Sequence, residues 1–193
     1  MELIIASNNK HKIREIKNIL GSRFENIRSL SEAGITHETV EDGTTFLENA
    51  YKKAREISEI SGVAALADDS GICVDALDGA PGIYSARFAG GCFEHSNDED
   101  NNALLLKKLE GKKNRGAHYT AAVVIAYPDG SHIEAEGHLY GEITAASRGE
   151  GGFGYDPLFV PVGESRTVAE MSDEEKNKIS HRARALEALL LKL

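Results

Sequence analysis

The chain has 193 residues, 41% of them hydrophobic and 27% charged, with a formal net charge of −9. That length suits one domain, or one domain with two lobes, burying roughly 70% of its unfolded surface. The acidic balance argues against non-specific binding to nucleic acid, which needs a basic surface. No apolar run is long enough to cross a bilayer, and the start "MELIIASNNK" lacks the pattern of a signal segment. Cys73 and Cys92 have no metal or redox spacing and read as free thiols of a reducing compartment, so cytoplasmic residence is expected.

In chain order, "ELIIA" is a short apolar strand and "SNN" a loop. "KHKIREIKNIL" is a helix with Ile13, Ile16, Ile19 and Leu20 on one face, ended by Gly21. Residues 22–43 read as irregular apart from a weak strand at 27–30. A second helix opens in "TTFLENAYKKAREIS", where Thr45 and Glu48 have capping-box spacing. "VAALADDSGICVDAL" predicts strand, tight turn, strand, and "DGAPGIYSARFAGG" a loop with short pieces. "EHSNDEDNNALLLKKLEG" is a third helix whose acidic start reads as solvated surface. "AHYTAAVVIAYPDGSHIEAEGHLYGEITA" is a β meander around a Pro128-Asp129-Gly130 turn. "GEGGFGYDPLFVP" is a Gly-rich loop running into a short strand. Two helices follow, one capped by Ser172 with Glu175 three residues on, the other starting at Ser180 and carrying Leu186, Leu189, Leu190 and Leu193. Strands and helices interleave without repeats or linkers, which predicts an α/β class with a mixed sheet and a single domain over 1–193.

Helical angle separates cations that solvation explains from those it does not. At about 100° per residue, Lys12 falls about 50° from the centre of the first apolar stripe, four residues before Ile16, while Lys10, His11 and Arg14 point elsewhere. Lys53 lies on the rim of the second stripe beside Asn49, with Lys52 facing solvent. Arg182 sits four residues before Leu186 in the last helix, and Arg184 points outward. One inward cation is ordinary; three in so acidic a chain suggest a cleft that collects phosphates. The strand–SNN–helix layout adds backbone N–H groups expected to be free at the first helix's start, an anion site.

The Asp68-Asp69 doublet in "ALADDSGICV" has two readings. Asp, Ser and Gly are turn formers. Equally, adjacent carboxylates at a strand end are costly unless water or a cation meets them. A polyphosphate would repel both unless a hard cation bridged them, and Mg²⁺ suits that task because it takes few carboxylates and completes its octahedron with water and phosphate oxygens. Glu41 in "VEDG" is either a third carboxylate or a plain loop acid. Gly149, Gly151 and Gly154 match GxGxxG, but no clear strand precedes them and "YDPLF" follows where a helix is needed, so they are no dinucleotide fingerprint. They read instead as letting backbone approach a flat ligand, with Phe153 or Tyr155 stacking on it.

Five spaced segments carry a resemblance nearly end to end: "ASNNKHKIREI", "EDGTTFLENAYKKA", "ADDSGICVDALDGAPGIYSARFAG", "GGFGYDPLF" and "EEKNKISHRARAL". With them the chain resembles the non-canonical purine nucleoside triphosphate pyrophosphatases, the inosine/xanthosine triphosphatase family. The resemblance implies hydrolysis of ITP, dITP and XTP between the α- and β-phosphates, dependence on Mg²⁺, and a homodimer. It implies an elongated mixed sheet flanked by helices, with two lobes around a central substrate cleft. Ser7, Asn8, Asn9, Lys10, His11, Lys12, Lys53 and Ser70 match the family's phosphate-binding positions. Asp69 matches its general base and metal ligand, and Glu41 the second acid near the metal, with Asp68 as an alternative sharer of metal duty. Phe153, Gly154, Tyr155, Asp156, Lys176, His181 and Arg182 match its nucleoside positions. The loop around 92–101 and the hairpin near 111–118 look family-variable. Two other functions fit the same acids and cations: a Mg²⁺-dependent phosphatase for another nucleotide or a sugar phosphate, and a non-catalytic nucleotide sensor. "GGFGYD" and "SHR" favour a purine, and Asp69 beside a metal favours turnover.

Overall fold

Strands and helices interleave along most of the chain. Glu2–Ile5 is the first strand (β1), Lys10–Leu20 the first helix (α1), and Asn26–Ser29 the second strand (β2). Phe46–Ser61 is α2, closed by Gly62 in the left-handed conformation at φ 67°. Ala64–Val74 is β3, Asp98–Lys108 is α3, Gly116–Ala126 is β4 and His132–Ile143 is β5. Phe159–Pro161 is β6, Asp173–Ile179 is α4 and His181–Leu190 is α5. The computed structural model describes residues 2–90 and 96–193, so Cys92 and the first part of the variable loop lie outside the described residues. Cys73 is in no disulfide. Among the described residues no helix is long and apolar enough to cross a membrane.

Six strands are hydrogen-bonded in the order β2-β1-β3-β4-β5-β6. β1 runs parallel to β2 and β3, while β6 is antiparallel to β5, which gives the mixed sheet that was expected. The Pro128-Asp129-Gly130 turn joins β4 to β5, with the Tyr127 N–H donating to the Ser131 carbonyl at 2.9 Å.

Two compact units share the chain. The first comprises Met1–Asp69, Ala121–Gly137 and His181–Leu193. Period-two alternation gives its strands two apolar faces. Leu3, Ile5, Ala64 and Leu66 pack with Ile16, Leu20, Leu186 and Leu189, from α1 and α5. Ile4, Ala6, Ala65 and Ala67 pack with Ala50, Ala54 and Ile57, from α2. The second unit comprises Ser70–Thr120 and His138–Ser180, around a core of Ile72, Val74, Leu105, Leu109, Tyr119, Leu139 and Phe159. Each fully buried Leu, Ile or Phe in these cores contributes roughly 1.5–3 kcal/mol.

β3 departs from the expected strand–turn–strand. Ala64–Val74 is one continuous strand, with Asp68 and Asp69 inside it at 1% and 7% exposure. Alternation carries straight through the doublet. Asp68 falls in phase with Ala64 and Leu66, toward α1 and α5, and Asp69 with Ala65 and Ala67, toward α2. Cations wait on both faces, so neither carboxylate needs water and the chain has no cause to bend. Gly71 answers a close approach: a Cβ there would lie 2.3 Å from Ser85 Oγ and 2.4 Å from the Gly82 carbonyl oxygen.

Candidate active site

The start of α2 assembles one cluster in the first unit. Thr45 caps the helix, its side chain accepting from the Glu48 N–H at 3.1 Å. The Glu48 carboxylate reaches one residue further back than a capping box requires, accepting from the Thr44 N–H at 2.7 Å and the Thr44 hydroxyl at 2.8 Å. Asn49, 1% exposed, accepts from the Gly43 N–H at 2.8 Å and donates to Asp69 Oδ2 at 3.3 Å. One turn on, Lys53 Nζ donates to Glu41 Oε1 at 2.7 Å, to Asp69 Oδ1 at 3.1 Å and to the Asp68 carbonyl at 2.9 Å. One ammonium thus gathers Glu41 and Asp69, which are far apart in sequence. Burial opposes the charge on Lys53, but Asp69 and Glu41 outweigh it and raise the Lys53 pKa. Burial pushes the Asp69 carboxyl up, and Lys53 only partly offsets this.

The other face of β3 holds a second cluster of the same unit. Lys12 Nζ lies 2.5 Å from Asp68 Oδ1. Arg182, 1% exposed, donates from Nε to Asp68 Oδ2 at 3.1 Å and from Nη2 to Asp68 Oδ1 at 3.3 Å. Its Nη1 donates to Glu15. Burial alone would raise the Asp68 carboxyl, but the Arg182 guanidinium and Lys12 ammonium hold it well below the usual carboxylate range. The N–H groups expected to be free at the start of α1 are partly taken. Asn9 Oδ1 accepts from His11 N at 3.0 Å and Lys12 N at 3.2 Å, because asparagine is a strong N-cap. Ser7 Oγ accepts from Asn9 N at 3.2 Å. Asn8, Lys10 and His11 are exposed.

The Gly-rich loop forms a third cluster, in the second unit. The 3₁₀ turn Asp156–Leu158 follows the glycines where a dinucleotide fingerprint needs a helix. Asp156, 3% exposed, accepts from the Phe153 N–H at 3.0 Å, from Lys176 Nζ at 2.7 Å and from the Tyr119 hydroxyl at 3.2 Å. Lys176 Nζ also stands 4.2 Å from the centre of the Phe153 ring, a cation–π distance. Gly152 is glycine because a Cβ would lie 2.2 Å from Asp156 Oδ2. The two stacking candidates now differ. Tyr155 is 4% exposed, packs into the core and donates its hydroxyl to the Ser85 carbonyl at 2.7 Å, whereas Phe153 is only half-buried.

Within the first unit the ion pairs form two sets, Lys12 and Arg182 with Asp68, and Lys53 with Glu41 and Asp69. His181 is buried beside Arg182 in the first turn of α5, and Ser70, in the second unit, is half-buried in β3. Sequence reasoning overlooked Glu15 and gave Asn49 no role. The helical angle gives no inward signal for Glu15, which at about 100° per residue falls about 110° from the stripe's centre, as far as Lys10; only its spacing of three residues from Lys12 places it beside that cation. Among the described residues no group of three or more His, Cys, Asp or Glu side chains is placed to hold a metal ion. Glu41 and Asp69 converge on Lys53, and Glu15 and Asp68 on Arg182.

The model of the Ham1 family matches residues 3–192. The Clostridium perfringens protein named dITP/XTP pyrophosphatase is 50% identical, over 97% of this chain and 95% of that protein. The solved structure of a HAM1 protein from Coxiella burnetii is 35% identical with a TM-score of 0.89, covering 100% of both chains. That of the Staphylococcus aureus Ham1 protein is 38% identical with a TM-score of 0.88, covering 100% of this chain and 97% of that one.

Proposed function

This chain belongs to the Ham1 family, and on that premise we propose that it hydrolyses deaminated purine nucleoside triphosphates, ITP, dITP and XTP, to the monophosphate and pyrophosphate. The observation that carries this reading is 50% identity, over 97% of the chain, to a protein named dITP/XTP pyrophosphatase. Cytoplasmic residence, from the cysteine usage, and a homodimer, from the resemblance, complete the reading.

Lys12 and Lys53 grip the triphosphate, together with Ser7, Asn8, Asn9, His11 and Ser70, while Lys10, exposed at the start of α1, stays outside the grip. Asp69 accepts a proton from water as the water oxygen attacks the α-phosphorus; the bond from that phosphorus to the bridging oxygen breaks, and pyrophosphate leaves. The placement of Asp69 supports this role: its two carboxylate oxygens are held by Lys53 at 3.1 Å and Asn49 at 3.3 Å. Glu41 and Asp69 fit a Mg²⁺ ion, which uses one or two carboxylates and fills its remaining positions with phosphate and water oxygens. Both already serve one cation, the Lys53 ammonium, at 2.7 and 3.1 Å, whereas Asp68 is committed to Lys12 and Arg182. Bound there, the metal supplies charge neutralisation at the phosphates. Phe153 stacks on the base, Asp156 and Lys176 hold its loop, and His181 and Arg182 donate toward the purine 6-keto oxygen.

Product analysis with ITP, dITP, XTP, ATP and GTP tests the reading. Pyrophosphate from the first three, with slow turnover of ATP and GTP, is expected. Release of orthophosphate would point to a phosphatase, and binding without turnover to a sensor; either outcome overturns the proposal.

A further inference from the structure

The acidic first turn of α3, Asp98, Glu99 and Asp100, reads in the sequence as solvated surface. Two residues of that helix nonetheless reach the Gly-rich loop within the same unit. Asp98 Oδ2 accepts from the Gly154 N–H at 2.6 Å, and Asn102 Nδ2 donates to the Gly154 carbonyl at 3.0 Å. Four residues apart, they occupy one helix face. Gly154 has φ +62°, a left-handed conformation, and stands between Phe153 and Tyr155. Both of its backbone polar groups are thus held from α3.

Asn102 is costly to keep. It is 9% exposed, and its Oδ1 is buried with no hydrogen-bond partner among the described residues. A carbonyl only accepts, so the amide nitrogen must face Gly154 and the orphaned atom is the oxygen. A buried amide with one end unused is replaceable by an apolar side chain unless the other end matters. The end that is used holds the loop carrying Phe153.

We propose that Asp98 and Asn102 are positioning residues for nucleobase recognition: acting through Gly154, they fix the backbone that aims the Phe153 ring at a flat purine. This rests on the reading of residues 153–156 as the base-binding loop. Neither residue touches substrate, and neither serves the phosphates.

The experiment measures ITP hydrolysis and its inhibition by inorganic tripolyphosphate, a probe with no base, in the parent and in Asp98→Ala, Asn102→Ala, Asp98→Asn and the double alanine variant. Each alanine variant should raise the KM for ITP about tenfold, as expected for one lost hydrogen bond to a charged or buried partner, with kcat changing less. The tripolyphosphate inhibition constant should stay within about twofold. Asp98→Asn, which keeps an acceptor oxygen, should recover most of the loss. The double variant should be little worse than the poorer single one, because both residues act on one glycine. A parental KM in the alanine variants overturns the proposal. So does an equal rise in KM and in the tripolyphosphate constant, which signals general damage to the fold. If the parent does not turn over ITP, the functional reading falls and this inference with it; if the parent does and the variants keep its KM, only this inference falls.

Discussion

Asp68 and Asp69 are consecutive residues of β3, yet their carboxylates are neutralised from different helices: Asp68 by Lys12 of α1 and Arg182 of α5, Asp69 by Lys53 of α2. The period of a strand enforces this, sending neighbours to opposite faces. It also divides their work. Asp68 is locked as a charged partner of buried Arg182 and half-buried Lys12, while burial raises the pKa of Asp69, which shares its cation with Glu41.

Asp69→Asn is expected to lower kcat by a factor on the order of 10² or more, as when a general base is lost. Asp68→Asn is expected to act first on folding, because it leaves Lys12 and Arg182 short of a buried counter-charge. Steady-state pyrophosphate release and urea unfolding of both variants separate the roles. Near-parental kcat for Asp69→Asn at saturating Mg²⁺ would remove it from the chemistry.

Four lysines test the grip on the phosphates. Lys12 and Lys53 meet buried carboxylates, Lys52 pairs with exposed Asp42 at 2.7 Å, and Lys10 is exposed. Lys12→Ala and Lys53→Ala should each lower kcat/KM by the equivalent of about 1.5–3 kcal/mol, the worth of a charge-assisted contact. Lys10→Ala and Lys52→Ala should change it by less than about 1 kcal/mol, as for surface ion pairs. Equal losses at all four positions would show that the helical angle does not select the phosphate ligands.

Much of this arrangement is legible before any coordinates, and the failures have physical causes. The inward angles of Lys12, Lys53 and Arg182 follow from period 3.6 alone, and each cation does meet a buried carboxylate. The doublet misleads because Asp-Asp-Ser-Gly has turn chemistry locally, whereas partners distant in the chain keep it extended, Lys12 and above all Arg182, which is 114 positions from Asp68. Asn49 and Asn102 carry no charge, so only the groups that meet them, Gly43 with Asp69 and Gly154, reveal a role. The glycines at 71 and 152 are explained by neighbours the chain brings to them, Ser85 and Asp156, and not by a ligand.

α4 carries Lys176, so its capping bears on the loop that Lys176 holds. Glu175 accepts from the Ser172 N–H at 2.8 Å and pairs with Arg166 at 3.1 Å. The first of these, then the second, lowers its pKa from 4.5 to about 2. Between those values the unfolded chain binds a proton that the folded chain does not, so stability falls as pH falls. The contribution is whole above pH 4.5 and is lost on the way down to about 2. Glu175→Gln should therefore lower Tm at neutral pH, and its gap from the parent should narrow as pH drops below about 4.5. A gap that stays constant down to acid pH would show that the carboxylate charge is irrelevant to the cap.

Arg182 is expected to carry two loads, and the variants must separate them. It is fully buried between Asp68 and Glu15. Arg182→Ala strands two carboxylates, so unfolding should become easier by about 3–5 kcal/mol. Its second load is base choice. Hypoxanthine, xanthine and guanine all present a 6-keto acceptor, adenine presents a donor amine, and arginine only donates. Loss of the guanidinium should therefore weaken the preference for ITP over ATP and leave the ratio of ITP to GTP comparatively unchanged, because a donor at that position cannot distinguish two keto bases. Destabilisation alone would lower every substrate together. Glu15→Gln supplies the control, since it disturbs the same buried pair without removing the guanidinium; it should cost stability and keep the parental ratio of ITP to ATP. Steady-state kcat/KM for the triphosphates, with urea unfolding of both variants, makes the comparison. If Arg182→Ala collapses the ratio of ITP to GTP while that of ITP to ATP stays parental, Arg182 does not read the 6-keto oxygen and its role is confined to holding Asp68.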